Sequence, residues 1–337
     1  MKLAIHKSQG FAERWIAYCE AKKIQYKIVN CYDNDVVKQL DDCCGLMWHH
    51  YHASLKDVKF AKQLLFSLEQ SGKPVFPNFN TAWHFDDKVG QKYLMESINA
   101  PYVPSYVFYS KKDALKWAEL ASFPKVFKLR GGAGSANVKL IKTREKAKKI
   151  INKAFGSGFE QYDKLGNLKD RWIKYRLGKT SLYDVLKGFA RIFHTTDFAR
   201  AYGNEKGYVY FQDFIPDNYF DIRIVVIGDK AFGIKRMVRK NDFRASGSGC
   251  IIYQKTEIKE DCVKIAFEVN KKLKTQCIAI DFVFDRNHSL IVEISYGFSP
   301  QGYDLCEGYW DINLNWNEGY FNPYGWMIDN LLNNAET

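Results

Sequence analysis

Two acidic side chains near the C-terminus stand where a hairpin would place them side by side. The runs Cys277-Ile-Ala-Ile-Asp281-Phe-Val-Phe-Asp285 and Leu290-Ile-Val-Glu293-Ile-Ser295 have the composition of half-buried strands. A three-residue loop at Arg286, Asn287 and His288 pairs Phe284 with Leu290, Phe282 with Val292 and Ile280 with Ile294, leaving one wholly apolar face for a core. The same register sets Asp281 opposite Glu293, with Cβ atoms about 5 Å apart, where like charges repel. A hard cation with oxygen ligands, best of all Mg²⁺ carrying a nucleotide phosphate, converts that repulsion into a site. The competing reading is a solvated strand face. Parity separates the two: a two- or four-residue loop would send the acids to opposite faces, but it would also scatter the apolar set, because a one-residue slip inverts every side chain.

A second group of residues suits phosphate. Val126-Phe-Lys128-Leu129 runs directly into Arg130-Gly131-Gly132-Ala-Gly134-Ser135, and a strand followed by a glycine loop brings backbone N–H groups up to an anion. Alternation puts Lys128 with Val126 and Arg130 on one strand face, from which the lysine can reach a phosphate beneath the loop. The spacing is neither that of a P-loop nor that of a dinucleotide fingerprint. Alone, it also fits a flexible hairpin tip.

These groups need lobes to hold them. The chain has 337 residues, 46% of them hydrophobic, enough for two or three compact lobes of a globular protein. Residues 1–80 alternate short apolar runs with amphipathic stretches and read as a βαβ lobe with a parallel sheet. A helix over 81–98 follows, with Thr81 as N-cap. A central lobe is expected over 81–215 and a C-terminal lobe over 216–337, with a basic, aromatic-rich insertion at 160–206 that reads as a lid with helical pieces. In the last lobe, Gly228-Asp229 makes a two-residue turn that pairs Asp221 with Arg236. Ser246-Gly-Ser-Gly249 is a glycine-rich segment suited to closing over a substrate.

Lysine and arginine total 50 against 38 acids, a formal charge of +12, which suits an anionic partner such as a nucleotide, sugar nucleotide or acidic glycan. Nucleic acid is disfavoured, since the basic residues are spread along the chain without a binding motif. No run approaches the ~18 apolar residues of a membrane span and the N-terminus lacks a secretion signal, so a cytoplasmic location is expected. The eight cysteines show no C-x-x-C spacing and read as buried reduced thiols, without zinc or disulfides.

Taken in order, the pieces resemble the ATP-grasp superfamily of ligases, and more narrowly the branch containing ribosomal-protein glutamate ligase and the glutathione synthetases. The resemblance runs from about Phe76 to Ser295. It implies an α/β fold with α+β lobes, preceded by the N-terminal βαβ lobe as a pre-ATP-grasp unit. It also implies that Lys88, in Asp87-Lys88, and Lys128 are aimed at nucleotide phosphates, with Gly131, Gly132, Gly134 and Ser135 in the loop that folds over them. Gln212-Asp213-Phe214-Ile215 resembles the hinge that holds adenine, although the family more often has Glu at the position of Asp213. Asp221 is a candidate ribose or structural contact. Arg223, Arg236 and Arg244 fall where the family has its catalytic arginines, and Asp281 and Glu293 where it has magnesium carboxylates. Ser295 stands in place of the family's usual asparagine ligand, and Ser246 where this branch commonly has another asparagine.

The implied cofactors are ATP and Mg²⁺. The implied reaction phosphorylates a carboxylate to an acyl phosphate, from which an amine displaces phosphate to form an amide. Phosphoryl transfer needs positioning and charge neutralisation, which lysines, arginines and Mg²⁺ supply. The aromatic tail from Tyr296 to Trp326 either seals the C-terminal lobe or stacks on a sugar. With the basic balance and the resemblance to ATP-grasp proteins of surface-polysaccharide synthesis, it suggests a sugar acid or glycan carboxylate. The alternatives are an ATP-grasp phosphotransferase acting on a hydroxyl, and a nucleotide-binding protein without catalysis.

Overall fold

A computed structural model describes residues 2–52, 54–131, 137–160, 172, 175, 181–183, 186, 189, 203–238, 243 and 249–336. The chain forms two compact units, one of Met1–Phe85, Tyr93–Tyr102 and Asp217–Thr337, the other of Asp86–Lys92 and Val103–Pro216.

The first unit begins with a parallel sheet of strands Lys2–His6, Gln25–Val29, Gly45–Met47 and Val75–Phe76, the first strand lying between the second and third. Parallel strands need crossovers, and helices Ala12–Lys22 and Leu55–Gln70 provide them. Ser54 starts the longer helix by accepting the Asp57 N–H, and Lys23, at φ 56°, ends the shorter one. The loops after the first and third strands meet at His49. Its ring stacks on Phe11 at 3.9 Å, and Gly10, at φ 99°, is needed because a Cβ there would collide with that ring.

Burial lowers the His49 pKa to about 4 against the weaker opposing effect of its ring N–H bond to the Gln9 carbonyl, and burial lowers that of His50 as well. The unfolded chain therefore binds more protons than the folded one between about pH 6.5 and 4, and stability falls as pH drops through that window. His49 alone accounts for ~2 kcal/mol by pH 5. Urea unfolding followed by tryptophan fluorescence should show this loss between pH 7 and pH 5, and His49→Gln should reduce it, leaving the part that His50 contributes.

The same unit carries a second, mainly antiparallel sheet in the order His288–Ser295, Cys277–Asp285, Phe220–Ile227, Lys230–Met237, Gly308–Asp311, Trp316–Glu318. Helix Glu260–Leu273 packs Val263, Ala266 and Phe267 against Ile224, Ile278, Ile280 and Phe282. Val225, Ile227 and Phe232 enter a core that they share with Leu3, Ile5 and Trp15 of the parallel sheet and its helix, and with Met327, Ile328 and Leu331 of helix Pro323–Glu336. Period-two alternation in the strand 220–227 thus feeds two cores at once.

The hairpin of Asp281 differs from the expected one in an instructive way. Its turn has two residues, Arg286 and Asn287, not three: Asp285 pairs with His288, Phe284 with Ser289, Val283 with Leu290 and Phe282 with Ile291. A bulge then inserts Val292 between the pairs Phe282–Ile291 and Asp281–Glu293. The extra residue restores the phase that the shorter turn loses. Ile280, Phe282 and Ile294 stay in the core, Ile291 takes the core place expected of Val292 while Leu290 and Val292 are only half-buried, and Asp281 stays opposite Glu293.

The second unit holds an antiparallel sheet in the order Ser105–Phe108, Val209–Asp213, Lys125–Lys128, Lys139–Ile141. Helices Lys111–Leu120 and Arg144–Ala154 contribute Ala114, Ala118, Ala147 and Ile151 to a core with Phe127, Val209 and Phe211. Strands Phe159–Glu160 and Asn204–Glu205 pair at the two ends of the basic insertion; the expected lid lies largely outside the described residues. The single helix expected over 81–98 is two helices, Phe79–Ala82 and Lys88–Ser97. Asn78 rather than Thr81 is the N-cap, accepting the Thr81 N–H, while the Thr81 hydroxyl accepts the Gln276 N–H. Asp86, at φ 56°, interrupts the helical path between them.

Candidate functional site

In the second unit, the strand Lys125–Lys128 delivers Lys128 into a buried polar network. Its ammonium donates to Gln212 Oε1 at 2.7 Å, Gln212 Nε2 donates to Ser105 Oγ at 3.1 Å, and the Tyr210 hydroxyl donates to the same oxygen at 2.9 Å. Lys128, Gln212 and Ser105 are all buried. A lysine out of water keeps its charge only where polar groups surround it, so the sheet has built a seat for an ammonium. Next to it in register, Asp213 pairs with Lys125, its carboxylate 2.6 Å from the lysine amine. Asp213 is thus already engaged by a cation within the sheet, and Phe214 and Ile215 follow it, half-buried.

Lys88 opens its helix beside the start of the glycine loop. Its N–H donates to the Arg130 carbonyl at 2.9 Å, while the Arg130 N–H donates to the Tyr208 hydroxyl at 2.7 Å. The Lys88 amine, buried, lies 3.9 Å from Asp86 Oδ1, and the Arg130 guanidinium lies 3.8 Å from Asp87 Oδ2. Lys88, Arg130 and Gly131 therefore meet at one place, although 42 positions separate Lys88 from Arg130 in the sequence numbering. Gly132, Gly134 and Ser135 lie outside the described residues, as do Arg244 and Ser246.

In the first unit, three adjacent strands bring Arg223, Arg236, Asp221 and Asp281 together. Arg236 grips Asp221 through two bonds, Nε to Oδ1 at 2.7 Å and Nη2 to Oδ2 at 2.6 Å. Arg236 Nη2 also lies 3.0 Å from Asp281 Oδ1, and Arg223 Nε lies 2.7 Å from that same oxygen. The Arg223 contact is close in distance but too poorly aligned to be a hydrogen bond, so Asp281 Oδ1 and Arg223 Nε are buried without one. The charge expected opposite the acid pair is thus present in the protein itself, as two guanidinium groups.

Burial works against the charge on Arg236, but attraction by Asp281 and then Asp221 outweighs it and pushes the pKa well above the ordinary arginine value. Burial raises the Asp221 pKa, opposing the Arg236 fork that lowers it. The two shifts pull in different directions; the doubly bonded geometry of the pair keeps both partners charged at neutral pH. Across the hairpin, Ser295 takes the Gly297 N–H on its hydroxyl, 3.1 Å away.

Asp281, Glu293 and Ser295 offer hard oxygen donors, the set that Mg²⁺ prefers. Asp281 Oδ1 makes no well-aligned hydrogen bond but already faces two guanidinium groups. The residues fit a magnesium ion bound through few protein ligands, with phosphate and water completing its shell. Among the described residues no group of three or more His, Cys, Asp or Glu side chains forms a metal cage.

Lys125, Ser105, Tyr208 and Tyr210 were not anticipated as parts of this machinery. Lys125 had a signal, since pairing 126–129 against 208–215 in antiparallel register places it opposite Asp213. The others had none, because a buried hydroxyl shows no pattern until the sheet order is known.

Residues 198–315 match the RimK-like ATP-grasp domain family. The chain is 22% identical over 283 residues to the alpha-aminoadipate–LysW ligase LysX of Saccharolobus solfataricus, covering 81% of this chain and 84% of that one. Its fold is similar to that of a RimK domain ATP-grasp protein from Sphaerobacter thermophilus, with a TM-score of 0.58 at 13% identity over 98% of this chain and 100% of that one. It is also similar to D-alanine–D-alanine ligase from Bacillus anthracis, with a TM-score of 0.54 at 14% identity over 100% and 97% of the two chains. Residues 198–315 thus match a RimK-like ATP-grasp domain, and the fold of the chain is similar to that of solved ATP-grasp proteins.

Proposed function

We propose that the protein uses ATP and Mg²⁺ to activate a carboxylate as its acyl phosphate and couples it to an amine as an amide, releasing ADP and phosphate. The observation that carries this reading is the Asp281–Glu293 pair flanked by Arg223 and Arg236. Acids and guanidinium groups side by side suit a reaction in which a cation and a transferring phosphoryl group must be held together. Asp281, Glu293 and Ser295 would hold Mg²⁺, which when bound neutralises phosphate charge.

The chain's own groups do the rest. Lys88 and Lys128 hold triphosphate oxygens, the latter pre-aimed by Gln212. Gln212 through Ile215 supply the adenine hinge, and Gly131, Gly132, Gly134 and Ser135 the loop amides. Asp221 holds the Arg236 guanidinium in plane, so that its outer N–H groups meet the equatorial oxygens of the phosphoryl group and the oxyanion of the acyl phosphate. Arg223 and Arg244 share that charge. The amine attacks the acyl carbon, the C–O bond to phosphate breaks, and phosphate leaves with the electron pair.

LysX and D-alanine–D-alanine ligase, by their names, join amino-acid-type substrates, which supports an acid or amine of that type here. A sugar acid has less support. Of the tail's rings, Tyr296, Phe298, Tyr303, Trp310 and Tyr324 are buried in the cores, and sealing the lobe accounts for them.

The test is a coupled assay for ADP and free phosphate over pooled amino acids, peptides, uronates and amines. Stoichiometric release of both products that requires an acid and an amine together is expected. ADP without phosphate would identify a phosphotransferase instead, and the absence of Mg²⁺-dependent turnover across the panel would leave a nucleotide-binding protein.

A further inference from the structure

A pocket of about 530 Å³ opens in the first unit between helix Ala12–Lys22 and the segment 303–324. Its residues are separate from those assigned above to nucleotide and metal. The helix gives it room by presenting Ala17 and Ala21, and Tyr18, Phe321 and Tyr324 give it apolar walls. Tyr18 is fixed in two ways. Its hydroxyl donates to Asp329, 2.8 Å from Oδ2 and 3.0 Å from Oδ1, and its ring lies against Gly325, where a Cβ would come within 2.5 Å of the ring. Such a wall is rigid before any ligand arrives.

Two charges of opposite sign share the pocket. Arg14 Nη2 lies 2.6 Å from Asp304 Oδ2, and both side chains are more than two-fifths exposed. The Arg14 guanidinium also sits 5.8 Å from the centre of the Tyr324 ring. A surface ion pair so exposed adds little to stability. As a recognition element it is selective: an anion meets Arg14 but is repelled by Asp304, and a cation meets the reverse. The two groups satisfy each other, and among incoming ligands one that carries both charges about one ion pair apart can engage both at once. Tyr320, 91% exposed, stands among the lining residues with its ring face available to such a ligand.

We propose that this pocket binds the head group of a free α-amino acid, its carboxylate on Arg14 and its ammonium on Asp304, with the amino-acid side chain against the tyrosine rings. The inference stands apart from the ligase reading, because it concerns binding without ATP. It has a route to the arginine–aspartate cluster. Tyr303 lines the pocket, is buried against Phe232 and Phe298, and its hydroxyl is buried without a hydrogen bond. Burial raises its pKa to about 12, while Arg223 and then Arg236 act on it in the opposite sense, which places the hydroxyl within electrostatic reach of both. A ligand in the pocket therefore touches a side chain on which those arginines act.

Isothermal titration of the full chain, without nucleotide, against the twenty standard amino acids singly should show saturable one-site binding for at least one of them. Arg14→Ala and Asp304→Asn should each weaken it tenfold or more. Ala17→Phe, which fills the pocket from an exposed helix position and leaves both charges in place, should abolish it while the circular dichroism spectrum and ATP turnover stay unchanged. Binding that survives Ala17→Phe, binding of N-acetylated or amidated amino acids as tightly as the free zwitterion, binding of neutral sugars only, or no binding at all would each overturn the proposal.

Discussion

Asp281→Asn is expected to cost the protein both catalysis and stability, and the two losses have different causes. Asp281 Oδ1 lies within 3.0 Å of Arg236 and 2.7 Å of Arg223, and the three side chains are at most 18% exposed. Removing the shared carboxylate charge leaves two guanidinium groups facing each other in a buried setting, with Asp221 the remaining acid against Arg236. The cost expected for breaking such a buried arrangement from one side is ~3 kcal/mol, read as a lower urea midpoint at pH 7. ATP turnover, measured at a temperature where the variant is still folded, should fall at least ~100-fold, the scale on which loss of a charge-positioning group is felt. Binding of Mn²⁺ with nucleotide, followed by electron paramagnetic resonance, should weaken in parallel. A variant that lost stability but kept turnover and Mn²⁺ affinity would show that Asp281 is only the anchor of the two arginines.

Lys128→Met should behave in the opposite way. The lysine amine is bonded to a neutral amide, Gln212 Oε1 at 2.7 Å, and methionine fills nearly the same volume without a charge to desolvate. Thermal stability is therefore expected to hold or rise. The Kd for ATP should increase and kcat should drop on the order of 100-fold, since a preorganised ammonium stabilises the charge that develops on the phosphates. Gln212→Leu, which leaves the lysine but removes the oxygen that aims it, should raise KM for ATP more than it lowers kcat. Unchanged ATP affinity in Lys128→Met, measured by isothermal titration, would remove Lys128 from the nucleotide site.

The contrast between these two lysine- and aspartate-centred predictions follows from what was legible in the sequence. Alternation alone put Lys128 and Val126 on one strand face and Phe127 and Leu129 on the other, which the structure shows to be the core face, and the hairpin register marked Asp281 and Glu293 as opposed acids. What alternation could not give was the pair of compensating one-residue changes in the hairpin. The shorter turn and the bulge at Val292 cancel in phase, so the acids meet as expected although Phe282 pairs with Ile291 rather than Val292. A bulge has no strong sequence signature apart from the phase shift it corrects.

Partners were harder to read than positions. The repulsion between Asp281 and Glu293 pointed to a cation, but the cations against Asp281 are side chains from strands 220–227 and 230–237. Their register across Asp281 is set by sheet order, a long-range property that local patterning does not carry. Asp213 likewise read as a hinge acid, and only the pairing of its strand with Lys125–Lys128 shows a lysine 2.6 Å away. The break in the helix expected over 81–98 came from Asp86 in a left-handed conformation, which Asp tolerates more readily than most residues but does not announce. Asn78 outranked Thr81 as a cap because the Thr81 hydroxyl serves Gln276, nearly 200 residues away.

Transfer of oxygen from substrate to phosphate tests the central claim most directly. If a carboxylate is activated as an acyl phosphate, the bond broken in amide formation lies between the acyl carbon and a carboxylate oxygen. Acids labelled with ¹⁸O in the carboxyl group, offered as a pool with amines, ATP and Mg²⁺, should then yield phosphate carrying one ¹⁸O, seen by mass spectrometry or as an isotope shift in ³¹P resonance. Phosphate released in step with an amide product but free of ¹⁸O would contradict the mechanism.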